Sequence, residues 1–366
     1  MFDDQYRNKT VLVTGATGFK GSWLCTWLLK LGANVVGLAN GVPTQPSLFE
    51  VLNLNDKIDY QDCDVRQFEA LDSIINKTQP DFIFHLAAQA IVSESYLKPL
   101  ETIETNVLGT ANILEALRGY DKECITIIIT SDKCYENVEW EWGYKETDRL
   151  GGKDIYSGSK GAAELIVHAY QESYFNNASS RHRITTARAG NVIGGGDWAT
   201  DRIVVDCIKT WVAGEVVKIR CPDATRPWQH VLEPLSGYLR LGQLLGKRPH
   251  LHGESFNFGP KNERSRTVLE LIKDLQAHWT EFGFSAEYVV TDTVPFHEAG
   301  LLKLNCDKSL FHLYWEANLT YDNCVRLVSN WYDEFYNHDN DMFKVTLEQI
   351  ANYENQAIAQ ELNWAE

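Results

Sequence analysis

Through the first half of the chain, short apolar runs alternate with stretches whose apolar residues recur at helical spacing. "TVLVTG" (10–15), "NVVGLA" (34–39), "DFIFHLAAQ" (81–89), "CITIIIT" (124–130) and "RITTARAGN" (183–191) are runs of the kind that form strands buried on both faces. Between them "KGSWLCTWLLKLG" (20–32), "VRQFEALDSIINKT" (65–78), "ETNVLGTANILEALRG" (104–119) and "SKGAAELIVHAYQESYF" (159–175) carry the 3.6-residue period of helices, the first stopping at Gly32. This strand–helix rhythm predicts an α/β fold with a doubly wound parallel sheet of the Rossmann type.

From about Gly194 the rhythm breaks into "GGGDW" and mixed aromatic segments, which predict a smaller mixed α/β lobe. "VLEPLSGYLRLGQLLG" (231–246) again reads as a sheet-covering helix, so the chain is expected to cross back. The expected division is a dinucleotide-binding domain over 1–190 with about 229–255, and a substrate lobe over 191–228 and 256–366. The tail, 341–366, is expected to be helical and peripheral.

The 366 residues are 44% hydrophobic and 23% charged, with a formal net charge of −16. So acidic a chain repels nucleic-acid phosphates, and any anionic ligand needs a local basic pocket. No apolar run is long enough to span a bilayer. The N-terminal "MFDDQYRNKT" has no basic stretch followed by an apolar one, so no signal peptide is read there and a cytoplasmic location is expected. The eight cysteines are scattered without a CxxC pair, and His182, His230, His250 and His252 form no zinc pattern with them. Buried thiols and no metal are the expectation.

Three motifs carry chemistry. In "TGATGFKG" the glycines at 15, 18 and 21 stand between a strand and a helix. There they allow a tight turn, a close approach of pyrophosphate, and helix–strand packing, with the helix N–H groups facing the phosphates. An acid that binds the adenosine ribose usually ends the second strand; here Asn40-Gly41 stands instead, and no arginine offers itself to a 2′-phosphate, which favours NAD over NADP. Asp64 suits either the adenine amine or a helix N-cap. In "YSGSK" Tyr156 and Lys160 fall on one helix face, where an ammonium lowers the pKa of a phenol that takes a proton from a substrate alcohol. "TSDKCYEN" places Ser131, Asp132 and Lys133 at the end of an apolar strand, either as a surface ion pair or as the working end of an enzyme.

"TGATGFKG", "YSGSK" and "RAGNVIGGGDW" together resemble the extended short-chain dehydrogenase/reductases that act on nucleotide sugars. "GFKGSWL", "PSLFE", "TSDKCYEN", "RPWQHVLEPLSGY", "NFGP" and "HEAGLLKLNCDKS" are similar to the 4,6-dehydratase branch that acts on CDP-D-glucose, up to about residue 335. The resemblance implies an internal redox cycle. Tyr156, backed by Lys160, takes the O4 proton as hydride leaves C4 for NAD+. Asp132 then protonates the C6 hydroxyl while Lys133 takes the C5 proton, water leaves, and hydride returns to C6. Lysine titrates near about 10.4 in water, so such a base needs burial or the neighbouring Lys160. Ser131 is expected to hydrogen-bond O4 and the Tyr156 hydroxyl.

The resemblance further assigns Gly15, Gly18, Phe19, Lys20, Gly21, Asn40, Asp64, Val65, Leu86, Ala87, Ala88, Gln89 and Asn106 to NAD, with Tyr156 and Lys160. Asn191, Arg202 and Arg226 are assigned to the diphosphate, and His297 and Glu298 to the nucleotide. Trp140, Trp142, Trp198 and Trp228 read as packing residues. A homodimer or higher homo-oligomer, paired through the helix of "YSGSK", is expected. Two other readings stand beside this one. A nucleotide-sugar 4-epimerase shares Tyr156 and Lys160 but has no use for Asp132-Lys133. A non-catalytic NAD(H)-sensing protein has no need of the intact tyrosine–lysine pair.

Overall fold

The computed structural model describes residues 1–177, 180–261, 266–291 and 301–365. Its centre is a seven-stranded parallel sheet ordered β11-β6-β5-β4-β1-β2-β3. The strands are β1 (Thr10–Thr14), β2 (Asn34–Ala39), β3 (Asp59–Asp62), β4 (Phe82–His85), β5 (Cys124–Ile129), β6 (His182–Ala189) and β11 (Ser255–Phe258). Every residue of β5 is buried, which is why it is a continuous β-branched run rather than an alternating one. The strand order reverses between β1 and β4, so the crevice at their carboxyl ends is where such a sheet takes its ligands.

Helices cover both faces. On one lie α1 (Phe19–Lys30) and α6 (Leu232–Leu245), whose Trp23, Trp27, Leu235 and Leu239 share a core with Val11, Ile125 and Ile127. On the other lie α2 (Phe68–Thr78) and α3 (Gly109–Arg118), packed through Leu71, Ile75, Ile113 and Leu117 on Leu12, Ile83 and Ile128. Helix α4 (Ile155–Tyr170) begins where Asp154 accepts a hydrogen bond from the Ser157 N–H at 2.9 Å. The expected return of the chain is present: all of α6 is buried, since the sheet lies on one side and the chain's last third on the other.

The smaller lobe is built on three two-stranded ladders, β7 (Val192–Ile193) with β10 (Gln229–His230), β8 (Val216–Ile219) with β13 (Glu287–Val290), and β9 (Thr225–Arg226) with β12 (Arg266–Thr267). With them stand α5 (Ile203–Val212), α7 (Val268–Glu281) and α8 (Tyr321–Asn337). Two features depart from the sequence reading. Strand β11 begins at Ser255 and carries the large sheet on to Phe258, a little beyond the expected limit of about 255. The tail helix α9 (Met342–Ala359) is not peripheral: Glu354 accepts from Trp27 Nε1 at 2.8 Å and pairs with Lys30 of α1. Trp364 stacks on Tyr353 and Phe2 with ring centroids 5.4 and 5.6 Å apart. No helix among the described residues is long and apolar enough to cross a membrane.

Candidate active site

An open cleft of about 1830 Å³ runs along the carboxyl edge of the sheet and on between the sheet and the smaller lobe. Its first arm is floored by the glycine turn. Gly15 has φ +70°, and a Cβ there would meet the Ala87 backbone at 2.8 Å. A Cβ at Gly21 would lie 2.1 Å from the Gly15 carbonyl, so α1 can sit this close to β1 only with glycine. Helix α1 starts without a side-chain cap, and Gly18, Phe19 and Lys20 line the cleft, so the cradle fits a pyrophosphate. Lys20 faces the cleft with no hydrogen bond or ion pair among the described residues, and burial, then Arg202, pulls its pKa down to about 8.

At the far end of this arm Asn40 donates to Asp64 Oδ2 at 2.9 Å. Asp64 is not the N-cap of α2, a position Gln67 takes; its carboxylate accepts the Arg66 backbone N–H at 2.9 Å and the Arg66 guanidinium at 2.5–3.0 Å. The Arg66 hydrogen bond holds the Asp64 carboxyl below the usual range. An arginine does stand near Asn40, then, but it is already paired. Val65, Leu86, Ala87, Ala88 and Gln89 line the same arm. Asn106 does not: it is buried behind the loop, its carbonyl accepting from Gln89 N–H at 2.8 Å and its amide donating to Ser159 at 2.8 Å, which ties the loop to α4.

Tyr156, Ser131 and Asp132 meet at the centre. The Ser131 hydroxyl donates to Asp132 Oδ1 at 3.0 Å and lies near enough to the Tyr156 phenol to lower its pKa. Asp132 is buried, with its carboxyl against Gly190: a Cβ there would lie 1.8 Å from Oδ2. Burial raises the Tyr156 pKa to about 12, against the Ser131 hydrogen bond, and burial lowers that of Lys160 to about 8. The sequence reading expected Lys160 to lower the phenol's pKa. In the structure desolvation outweighs every other influence, and the charges bearing on Tyr156 are those of Asp132, Arg202 and Asp154. Lys133 lines the cleft but is exposed, against the expectation of burial. It therefore stands in solvent at the rim.

Asn191 and Arg202 line the second arm; Asn191 lies 3.4 Å from Asp132 Oδ2, and Arg202 pairs with Asp197 at 2.6 Å. Arg226 also lines it, directly opposite Arg266 in the β9–β12 ladder. Arg266 reaches Glu270 at 3.9 Å and lies over the Tyr321 ring, and an anion between two like charges so placed is favoured. His297 and Glu298 lie outside the described residues. Trp198 and Trp228 are buried packing residues, whereas Trp140 and Trp142 are exposed. The sequence reading missed Arg66, the wall that α5 and β8 add to the second arm, and Arg266, which lines a small adjoining pocket with Arg226. Only the ladder register brings Arg266 to Arg226, and nothing local in the sequence announces it.

The family model for GDP-mannose 4,6 dehydratase matches residues 12–328. The CDP-glucose 4,6-dehydratase of Salmonella typhimurium is 41% identical over 351 residues, covering 95% of this chain and 97% of that protein. The CDP-paratose 2-epimerase of Salmonella typhi is 27% identical over 297 residues, 73% of this chain and 83% of that one. Among solved structures, an epimerase from Methanothermobacter thermautotrophicus superposes with a TM-score of 0.77 at 23% identity, over 92% of this chain and 96% of that one. A UDP-glucuronic acid 4-epimerase from Bacillus cereus, in complex with UDP-glucuronic acid and NAD, gives 0.75 at 22% identity, over 89% and 100%. At these identities the two structures speak to the fold.

Proposed function

The chain belongs to the GDP-mannose 4,6-dehydratase family of extended short-chain dehydrogenase/reductases, and from that premise we propose that it converts CDP-D-glucose to CDP-4-keto-6-deoxy-D-glucose and water. The glycine cradle and the Asn40–Asp64 end of the first arm suit NAD. When bound, NAD supplies the hydride acceptor for C4 and afterwards the hydride donor for C6. Tyr156 takes the O4 proton against the desolvation that raises its pKa, the cation of Lys160, four residues on along α4, favouring the phenolate less than burial opposes it. The resulting 4-ketone acidifies C5–H. Asp132 gives a proton to the C6 hydroxyl as an amine at the cleft takes the proton from C5, and water departs; Lys133 is the amine the sequence places there. After C6 is reduced, the amine returns its proton to C5. Ser131, which donates to Asp132 and stands beside Tyr156, leads the O4 proton back to the spent carboxylate, so the cycle closes without an outside acid. Asn191, Arg202, and Arg226 with Arg266 meet the diphosphate.

One observation carries this reading beyond the family: a buried acid, hydrogen-bonded to Ser131, stands beside the catalytic phenol. A 4-epimerase returns hydride to the carbon it came from and has no water to expel. Incubation with CDP-glucose and NAD, followed by NMR, tests it; a 4-keto-6-deoxy product is expected, and CDP-galactose or unchanged substrate refutes it. A cytoplasmic homodimer in deoxysugar biosynthesis, such as that of lipopolysaccharide O-antigen, completes the proposal. Exposed Leu165 on α4 and Leu100 on the helix packed against it support the pairing.

A further inference from the structure

The two arms of the cleft divide the ligands between them. The glycine turn and the Asn40–Asp64 end define the dinucleotide arm, and Tyr156 and Asp132 fix the hexose at the junction. The nucleoside of the substrate is left with the second arm, whose wall is α5 on one side and β8 on the other, with Thr210, Val217, Ile219 and Arg220. One carboxylate in that wall has no structural task. Asp206, on α5, is half-buried, and among the described residues its side chain makes no hydrogen bond or ion pair. Of the cations near it, Arg202 is committed to Asp197 at 2.6 Å and the Lys209 ammonium to the Trp198 carbonyl at 2.6 Å, while Arg220 lines the same wall and acts on Asp206 only through its charge among the described residues. A half-buried carboxylate costs stability unless something pairs with it, and here the vacant partner faces the ligand space.

We propose that Asp206 reads the base of the substrate, its carboxylate accepting from the 4-amino group of cytosine and repelling the 4-carbonyl of uracil or thymine. An ionised carboxyl is acceptor-only, so it matches the cytosine amine and has nothing to offer a carbonyl. Discrimination then comes as much from rejecting the wrong base as from holding the right one. The inference rests on the nucleotide-sugar reading above and deepens it, since it names the residue that selects the nucleotide.

Binding of CDP and UDP to the full chain with NAD present, followed by calorimetry, is the test, together with kcat/KM for CDP-glucose and UDP-glucose. Wild type is expected to prefer cytidine. Asp206→Asn, whose amide can donate to a 4-carbonyl, is expected to narrow the CDP/UDP ratio about ten- to hundred-fold, the range for one charge-assisted hydrogen bond. Asp206→Ala is expected to narrow it similarly. A second measurement uses no variant. Burial, then Asp201, raises the Asp206 pKa to about 6, with Lys209 and Arg220 opposing and Asp197 adding to the rise. Below that pH the protonated acid can donate to a 4-carbonyl, so the wild-type ratio is expected to fall on acidification from 7.5 to 5.5 (roughly the span over which a group titrating near 6 changes state). A ratio unchanged in both variants and across that pH span overturns the proposal, as does equal binding of CDP and UDP by wild type. Failure of the catalytic reading looks different: selective CDP binding without turnover of CDP-glucose.

Discussion

Replacing Glu164 by leucine removes one partner of a buried ion pair that joins the catalytic helix to β6, the neighbour of the strand that leads to the acid. Glu164 and Arg188 have side chains 3% exposed each and meet at 2.8 Å. The same carboxylate accepts from Thr130, the residue before Ser131-Asp132, at 2.5 Å, and from Thr186 at 2.8 Å. Glu164 therefore locks the ends of β5 and β6 to α4, two turns along from Tyr156. In Glu164→Leu the Arg188 guanidinium keeps its hydrogen bonds to the Tyr135 hydroxyl and the Glu146 carbonyl but loses its counter-charge. Breaking a buried pair this way costs about 3–5 kcal/mol. With an unfolding entropy of about 2.1 cal/mol/K per residue, a chain of this length should lose about 4–6 °C in Tm. Glu164→Leu/Arg188→Met, which removes both charges, should recover most of that loss. Although burial raises it, Arg188 holds the Glu164 pKa below its ordinary 4.5. A depressed carboxyl stabilises above its unfolded pKa and stops doing so as pH falls through the folded value, so the gap between wild type and variant should close well below pH 4.5. Calorimetric melts at pH 7 and in acid measure this. A single variant within about 1 kcal/mol of wild type at pH 7, or a double variant worse than the single, refutes the reasoning.

Other consequences follow from the same geometry. Tyr156→Phe should lower kcat/KM by about 10²–10⁴-fold while leaving NAD affinity, read by fluorescence titration, within a few-fold. Lys160 carries a pKa of about 8, lowered by burial, so its charge is present below that pH and lost above it. The first hydride transfer should therefore weaken as pH rises through about 8, and Lys160→Arg, which stays charged, should abolish that falling limb while lowering the maximum. Asp64→Ala leaves the Arg66 guanidinium beside Asn40 with only its exposed pair to Glu104 at 3.7 Å among the described residues, and the NADP/NAD affinity ratio should rise by roughly tenfold in a competition titration; no change would remove Arg66 from the adenosine end.

The parts of this molecule that could be read from the chain are those whose causes are local. A β-branched run means a strand buried on both faces, and three glycines at fixed spacing mean a turn at van der Waals distance from its own helix; both stand in the fold. The tyrosine–lysine pair was legible because one helix carries both. What escaped depends on partners far along the chain. The tail looked peripheral because Glu354 finds Trp27 only across a separation of 327 positions in the sequence. Asn106 looked like a cofactor ligand because nothing local shows that Gln89 and Ser159 already use its amide. Lys133 shares a dipeptide with Asp132, yet the short 3₁₀ turn over Asp132–Cys134 buries the acid and leaves the amine at the rim. Asp206 sits in an unremarkable helix, and only the cleft gives its carboxylate a purpose.

Following deuterium placed at C4 of CDP-glucose tests the whole account most directly. If one bound cofactor accepts hydride from C4 and hands it to C6 of the same sugar, the label should appear in the product's methyl group, while C5 takes its hydrogen from solvent or from the enzyme's amine. Label found again at C4, with the hydroxyl inverted or unchanged, would contradict the account.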